Sequence, residues 1–168
     1  MTENTFKIYD NAMSLEDCKK IIELFETNKD QISKFNTGRK EYTEIDIDKF
    51  NTPWSETKEK YLSMMKMYMH KFMKDLNIYK ADFPPIIDME NIRIKKYLPN
   101  DKDEFGPHVD SISIDSALRF LVFFIYLNDN DKGETAFPQL GVAAPCKKGS
   151  LLMFPPLWPW LHAGLKPV

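Results

Sequence analysis

In the first half of the chain, apolar residues recur at helical spacing. Ser14 followed by Asp17 resembles a capping box, and the apolar positions behind it repeat every three or four residues, which predicts a helix over roughly residues 14–27. A second helix is predicted to begin near residues 53–55, because a long apolar stripe follows them. Between the two helices, residues 42–47 alternate between polar and apolar side chains, as a short strand would.

From about residue 90 onward the pattern indicates strands. Apolar and charged residues alternate over residues 92–97, and two apolar runs that favour β-structure follow at residues 118–127 and 149–154. Turns rich in Gly, Pro and Asn separate these runs, a pattern typical of a β-sandwich or jelly roll. We therefore predict a mainly β fold with N-terminal helices that pack on one sheet and leave the mouth of the barrel free.

The length of 168 residues is that of one ordinary domain. We predict a single domain over residues 1–168, in which residues 1–89 are mainly helical support and residues 90–168 form the jelly-roll core. Hydrophobic residues make up 43% and charged residues 29%, so the chain is expected to be globular rather than disordered. The net charge of -2 gives no basic excess of the kind that indicates a nucleic-acid partner.

The N-terminus has no apolar signal core, and no apolar run approaches the length needed to cross a bilayer. A cytoplasmic protein without a membrane partner is therefore expected, either a monomer or a homodimer. Cys18 and Cys146 are far apart and lack metal-binding spacing, which favours two reduced thiols and leaves a disulfide between them open.

Two of the three histidines lie in the β-half of the chain. His108 and Asp110 are two residues apart, and on an extended strand residues at this spacing point to the same face. His162 is the candidate for a third ligand. Two histidines and one carboxylate on one face of an octahedral ion form the facial triad of iron(II) oxygenases, which leaves other positions open for co-substrate and oxygen. A zinc hydrolase is an alternative use of the same ligands.

The surroundings of these residues resemble the prolyl-4-hydroxylase-like family of Fe(II)/2-oxoglutarate-dependent dioxygenases. The resemblance runs from about Arg93 to the last residue and rests on six segments in the family's order. They are YLPN (97–100), HVD (108–110), IYLND (125–129), GETAFP (133–138), KGSLLMFP (148–155) and WLHAG (160–164). A His-x-Asp match alone is a weak signal, but six ordered matches are hard to obtain by chance.

The resemblance implies a double-stranded β-helix, an eight-stranded jelly roll whose mouth binds Fe(II) through the two histidines and the aspartate. It implies that Tyr97 lines the co-substrate pocket, that Tyr126 contacts 2-oxoglutarate, and that Thr135 lies in the pocket wall. For the two tyrosines the alternative is ordinary core packing of an amphipathic ring. The segments around Tyr126 and Thr135 are not explained by a zinc hydrolase.

The chain departs from the family in one respect. The family carries a Lys or Arg on its last core strand, where it pairs with the far carboxylate of 2-oxoglutarate, and the sequence stops at Val168, before that position. Lys166 follows His162 too closely to replace it. We expect the jelly roll to lack its last strand, one barrel edge to be unpaired, and 2-oxoglutarate to bind weakly. Arg119 is an alternative anchor or, instead, a surface or salt-bridge residue.

The expected activity is hydroxylation of a prolyl residue in a peptide, or of a proline-like small molecule, with Fe(II), 2-oxoglutarate and O2, and with ascorbate (vitamin C) as an accessory reductant. Two alternatives stay open. One is oxidative demethylation of nucleic acid, against which the missing basic excess argues. The other is a jelly-roll module that binds a ligand without turnover, which the absent C-terminal basic residue supports.

Overall fold

The computed structural model describes residues 6–38, 40–85, 88–100 and 102–168. In these ranges it has two α-helices and ten β-strands. The helices are α1 (Leu15–Thr27) and α2 (Ser55–Asp75). The strands are β1 (Lys7–Tyr9), β2 (Ser33–Asn36), β3 (Lys40–Asp46), β4 (Arg93–Lys96), β5 (Glu104–His108), β6 (Val122–Ile125), β7 (Asn130–Phe137), β8 (Val142–Cys146), β9 (Leu151–Phe154) and β10 (His162–Gly164).

Both predicted helices are present, and local chemistry explains where α1 begins. The Ser14 hydroxyl accepts a hydrogen bond from the backbone N–H of Asp17 at 3.0 Å, which caps the first turn. α1 then buries Cys18, Ile21 and Phe25, which lie on one face of the helix because they are spaced by three or four residues. The second helix begins within the predicted segment.

The strands of the described residues form two antiparallel sheets. The smaller sheet has the order β1-β9-β6, and the larger has the order β2-β3-β5-β10-β7-β8, with β4 paired to β3. Phe137 and Ala144 of the larger sheet share one hydrophobic cluster with Leu152 and Phe154 of the smaller sheet. The inner faces of the two sheets therefore enclose a common core, which is the jelly-roll arrangement expected from the sequence.

The apolar run of β9 reflects burial on both of its faces. Leu152 and Phe154 belong to the core between the sheets, whereas Leu151 and Met153 pack with Phe72 of α2 on the opposite face. Because both faces are covered, every position of β9 is buried and apolar. Helix α2 thus covers the outer face of the smaller sheet, whereas α1 packs Phe25 against Ile45 of the larger sheet.

The first 89 residues hold both helices and also supply strands β1, β2 and β3. β3 contains most of the stretch that the sequence predicted to be a strand. It pairs with β4 through residues 43–46 and with β5 through Lys40 and Glu41. Ile45 and Ile47 are fully buried in a cluster with Phe25 of α1. β3 therefore connects the helical half of the chain to the strand that carries His108.

Among the described residues, five strands have a single strand neighbour: β1, β2, β4, β6 and β8. β6 pairs with β9 alone, and β4 pairs with β3 alone. Each of them presents one edge that no described strand covers. The further strand that the family resemblance implies stays a prediction.

The cysteines are Cys18, which is buried, and Cys146, which is half-buried, and both are free thiols in the structure. In the part of the chain that the structure describes, no helix is long and apolar enough to cross a membrane.

Candidate metal centre

The structure brings together the three residues that the sequence singled out as metal ligands. His108 ends β5, His162 begins β10, and the two are direct cross-strand partners. Directly opposed residues of antiparallel strands share a face, so the two rings lie side by side, with centroids 4.2 Å apart. Asp110 follows β5, and its backbone N–H donates a hydrogen bond to the carbonyl oxygen of Pro156 at 3.2 Å.

The candidate ligand atoms of these three residues all lie within 4.8 Å of one another. The Nε2 of His108 is 3.6 Å from one carboxylate oxygen of Asp110, and the Nε2 of His162 is 3.5 Å from the other. Among the described residues, this is the one group of three or more His, Cys, Asp or Glu side chains with such a geometry.

Both imidazoles present Nε2 to the centre of the group. The Nδ1 of His108 is 2.9 Å from the carbonyl oxygen of Gly106, and the Nδ1 of His162 is 3.0 Å from that of Trp160. A carbonyl oxygen can only accept, so each Nδ1 carries the proton and each Nε2 keeps a lone pair. Hydrogen bonds of this kind fix the ring orientation of metal-binding histidines.

Asp110 is a half-buried anion with too few partners. Its Oδ2 atom is buried and has no hydrogen-bond partner among the described residues. Burial raises the pKa of Asp110, but its neighbours His108, His162 and Arg119 together outweigh burial and lower it overall. Burial lowers the pKa of His162, and the neighbouring His108 lowers it further, so the His162 ring is held neutral.

This donor set fits a divalent metal ion. Two neutral imidazole nitrogens and one ionised carboxylate oxygen are the ligands of the iron(II) facial triad, and zinc also accepts them. A metal ion would give the unpartnered carboxylate oxygen the positive neighbour that it lacks. Three protein ligands leave further coordination positions open to small molecules.

A β-bulge in β5 shapes the surroundings of His108. From His162 to Gly164, β10 advances by two residues, whereas their partners on β5, His108 and Phe105, are three residues apart. The extra residue places Phe105 on the same face as His108. The two rings stack with centroids 3.9 Å apart and an interplanar angle of 4°. The bulge therefore gives the imidazole a flat apolar support.

A cavity of about 300 Å³ opens beside the metal ligands. Its lining includes the cations Lys40 and Arg119 next to His108 and Asp110. A larger cavity of about 470 Å³ lies elsewhere, between the start of α1 and the middle of α2, and none of the candidate metal ligands lines it. The smaller cavity is the one that matters for chemistry, because it opens onto the metal-binding group.

The loop after Asp110 presents three aliphatic side chains to solvent. Ile112, Ile114 and Leu118 are 79%, 93% and 90% exposed. The buried Ser116 hydroxyl accepts hydrogen bonds from the backbone N–H groups of Ile112 and Ser113 at 3.0 and 2.9 Å. Internal hydrogen bonds thus hold the loop in shape, while its apolar side chains stay available for contact. Ile112 also lines the cavity.

Tyr126 and Thr135 form a pair of hydroxyl groups near His162. Their oxygen atoms are 2.7 Å apart. Thr135 lies opposite Gly164 in the register of β7 and β10, and Gly164 is two residues from His162. The Thr135 side chain therefore shares the face of the sheet that carries the imidazole. Burial raises the pKa of Tyr126, so its hydroxyl stays protonated and able to donate.

Tyr97 and Arg119 lie in different surroundings. Tyr97 directly follows β4, and its ring centroid is 5.3 Å from that of Tyr42. Burial raises the pKa of Tyr97 as well. The Nε of Arg119 forms an ion pair with Glu90, and a terminal nitrogen donates to the carbonyl oxygen of Asp110 at 2.7 Å. Arg119 thus takes part in a salt bridge while it also lines the cavity.

Sequence reasoning missed three residues beside the metal ligands: Phe105, Lys40 and Lys95. The two lysine ammonium groups lie 4.1 and 4.8 Å from the centroid of the Phe105 ring. Lys95 precedes Tyr97 by two residues in an alternating stretch, and this signal places both on one face. Lys40 carried no such signal, because its position depends on the pairing of β3 with β5.

No protein-family model and no curated protein sequence matches this chain. Solved structures do match. A viral collagen prolyl hydroxylase from Paramecium bursaria Chlorella virus-1, in a 2OG complex, is similar with a TM-score of 0.67 at 20% identity, over 99% of this chain and 91% of that chain. A Pseudomonas putida prolyl-4-hydroxylase is similar with a TM-score of 0.70 at 14% identity, over 99% and 86% of the two chains. The chain has the prolyl-hydroxylase fold.

A third structure with the prolyl-hydroxylase fold comes from Trichoplax adhaerens. That prolyl hydroxylase is in complex with a peptide fragment of the hypoxia inducible factor oxygen degradation domain, and it is similar with a TM-score of 0.73 at 16% identity, over 98% and 79% of the two chains. These matches confirm the jelly roll that the sequence predicted. At such identities the likeness establishes the fold, and the family resemblance seen in the sequence is confirmed at that level.

Proposed function

We propose that the protein is an Fe(II)- and 2-oxoglutarate-dependent hydroxylase of a peptidyl proline or a proline-like substrate. The observation that carries the proposal is the group of His108, Asp110 and His162, in which two Nε2 lone pairs and an unpartnered carboxylate oxygen face a common centre. The prolyl-hydroxylase fold supports it, as do the six ordered sequence segments.

In this proposal the protein's own groups bind and orient the reactants. His108, Asp110 and His162 hold the metal, and the bound iron, 2-oxoglutarate and O2 supply the oxidising power. In the hydroxyl pair of Tyr126 and Thr135 one group donates to the other, which leaves one hydroxyl proton for a hydrogen bond to the co-substrate. Tyr97 lines the pocket on the other side, and the partial burial of the ligands limits access of bulk water.

A peptide substrate is favoured by the loop that follows Asp110. Ile112, Ile114 and Leu118 are exposed, Ile112 also lines the cavity, and exposed aliphatic side chains favour contact with a protein chain over contact with nucleic acid. The net charge of -2 points the same way, because a protein that binds a phosphate backbone needs a basic surface.

The experiment is a turnover assay with purified protein, Fe(II), 2-oxoglutarate and O2, with and without ascorbate, against a panel of proline-containing peptides. We expect succinate to form and one oxygen atom to be added to a peptide, and we expect both to be lost in Asp110→Ala. Succinate formation with methylated oligonucleotide alone would indicate the demethylase instead. Ligand binding without any turnover would indicate the non-catalytic module.

A further inference from the structure

Two lysine side chains reach over the Phe105 ring next to the metal ligands. The Nζ of Lys40 lies 4.1 Å from the ring centroid, and the Nζ of Lys95 lies 4.8 Å from it. The imidazole of His108 covers one face of the same ring at 3.9 Å, so the ammonium groups lie over the other face. The Phe105 ring thus lies between the imidazole of His108 and a pair of cations.

Neither of these lysines is neutralised by an ion pair within the described residues. The ion pair close to the site joins Arg119 to Glu90, and Asp110 lies beside the two histidines. Glu44 is the cross-strand partner of Lys95 and attracts it, but no ion pair forms between them. The face of β3 and β4 that carries the two lysines therefore offers cationic donors that the protein does not satisfy.

The surroundings disfavour the charged form of both lysines. Burial lowers the pKa of Lys40, and burial lowers the pKa of Lys95, which the charge of Lys40 lowers further. Lys95 is nevertheless exposed to solvent, so an anion can reach it. A bound anion would offset the cost of both charges.

We propose that Lys40 and Lys95 form a carboxylate-binding site beside the metal ligands, a site that builds on the proposed function. An acidic group of the substrate and the far carboxylate of 2-oxoglutarate are the two sources of a carboxylate at this place. The order of strands favours the substrate. β3 and β4 lie on one side of β5 and β10, whereas β7, which carries Thr135, lies on the other side.

The test compares Lys40→Met, Lys95→Met and the double variant with Lys34→Met. Methionine keeps the unbranched stem over the aromatic rings and removes the charge, and Lys34 is an exposed lysine on β2 of the same sheet. Calorimetry on Zn(II)-loaded protein measures the affinity for three probes. They are 2-oxoglutarate and two proline peptides that differ in having Asp or Asn beside the proline. Thermal unfolding checks that each variant is folded.

We expect each site variant to weaken binding of the Asp peptide about tenfold, as loss of a hydrogen bond to a charged group does. The Asn peptide and 2-oxoglutarate should bind as they do to the wild type. A tenfold loss for 2-oxoglutarate with unchanged peptides would instead assign the site to the co-substrate. Unchanged affinity for all three probes would overturn the carboxylate site.

A second measurement separates this inference from the proposed function. The Asp peptide, with the Asn peptide as its control, is titrated into metal-free protein while the lysine side-chain NMR signals are followed. Shifts of the Lys40 and Lys95 signals would support the site even if the protein showed no 2-oxoglutarate turnover. If these signals do not move while the turnover assay succeeds, the proposed function stands and the carboxylate site is wrong.

Discussion

The ring of Phe105 lies flat against the imidazole of His108, with centroids 3.9 Å apart and only 4° between the ring planes. Phe105 and His108 are three residues apart and would lie on opposite faces of a regular strand, but the bulge in β5 places both on the same face. The Nδ1 atom of the imidazole donates a hydrogen bond to the carbonyl oxygen of Gly106. Stacking and hydrogen bond together fix the direction in which Nε2 points.

The first prediction follows from this contact. Phe105→Leu removes the flat support while it keeps an apolar side chain, so His108 should sample more orientations. We expect metal affinity to fall about tenfold or more, as loss of groups that orient a ligand does. Phe105→Tyr keeps the ring and is the matched control. Titration of both variants with Mn(II) decides the question, and equal affinities would show that the stacking has no orienting role.

The second prediction concerns metal loading. The wild type should bind one divalent metal per chain, and metal at about 100 times its dissociation constant should raise the free energy of unfolding by about 2.7 kcal/mol. Asp110→Asn should fold but lose this gain, because a neutral amide is a weak ligand. His70→Gln, at an exposed position on α2, should behave as the wild type. Metal analysis and urea unfolding with and without Mn(II) measure both effects.

The third prediction is a pH dependence. Burial lowers the pKa of His162 from its ordinary value of 6.5, so below that value the unfolded chain binds a proton that the folded protein still excludes. The free energy of unfolding of the metal-free protein should therefore fall as the pH decreases from about 7 to about 5. Urea unfolding at several pH values tests this. In His162→Asn the free energy of unfolding should decrease less over this pH range. An equal decrease would show that other groups cause the pH dependence.

The fourth prediction concerns the turn before β9. Gly149 has a φ of +77°, and a Cβ atom there would lie 2.6 Å from the carbonyl oxygen of Met13. Gly149→Ala should lower the free energy of unfolding by at least about 3 kcal/mol, since backbone strain and a backbone clash add. Gly38 has a φ of +75° with nothing within 4 Å, so Gly38→Ala should cost only about 1 kcal/mol. Similar losses in urea unfolding would contradict the clash.

The fifth prediction tests the hydroxyl pair. Tyr126→Phe removes the partner of Thr135 and one donor that the proposed function assigns to 2-oxoglutarate. Its affinity for 2-oxoglutarate should fall about tenfold, with metal affinity unchanged. Tyr79→Phe, at an exposed tyrosine, is the control. Calorimetry with Zn(II)-loaded protein measures the affinity. An unchanged dissociation constant for 2-oxoglutarate would show that Tyr126 packs in the core and does not bind the co-substrate.

Local features of this protein could be read from its sequence because they depend on geometry within a few residues. The Ser14 cap, the start of α2 and the buried run of β9 follow from hydrogen bonding and from apolar spacing. The same holds for His108 and Asp110, whose spacing of two residues pointed to a shared face, although Asp110 lies just past the end of β5. The jelly roll also followed, since the run of short strands and the ordered segments pointed to one fold.

The rest of the site depends on which strands become neighbours, and that is decided by packing over long distances in sequence. His162 faces His108 because β10 pairs with β5 in one particular register. A shift by one residue would turn the imidazole to the opposite face of the sheet. Phe105 reaches His108 through a bulge, and Lys40 and Lys95 meet over Phe105 because β3 pairs with both β4 and β5. The metal ligands were therefore visible in the sequence, whereas their aromatic support and the neighbouring cations were decided by the tertiary structure, because strand register is set by burial of the whole core.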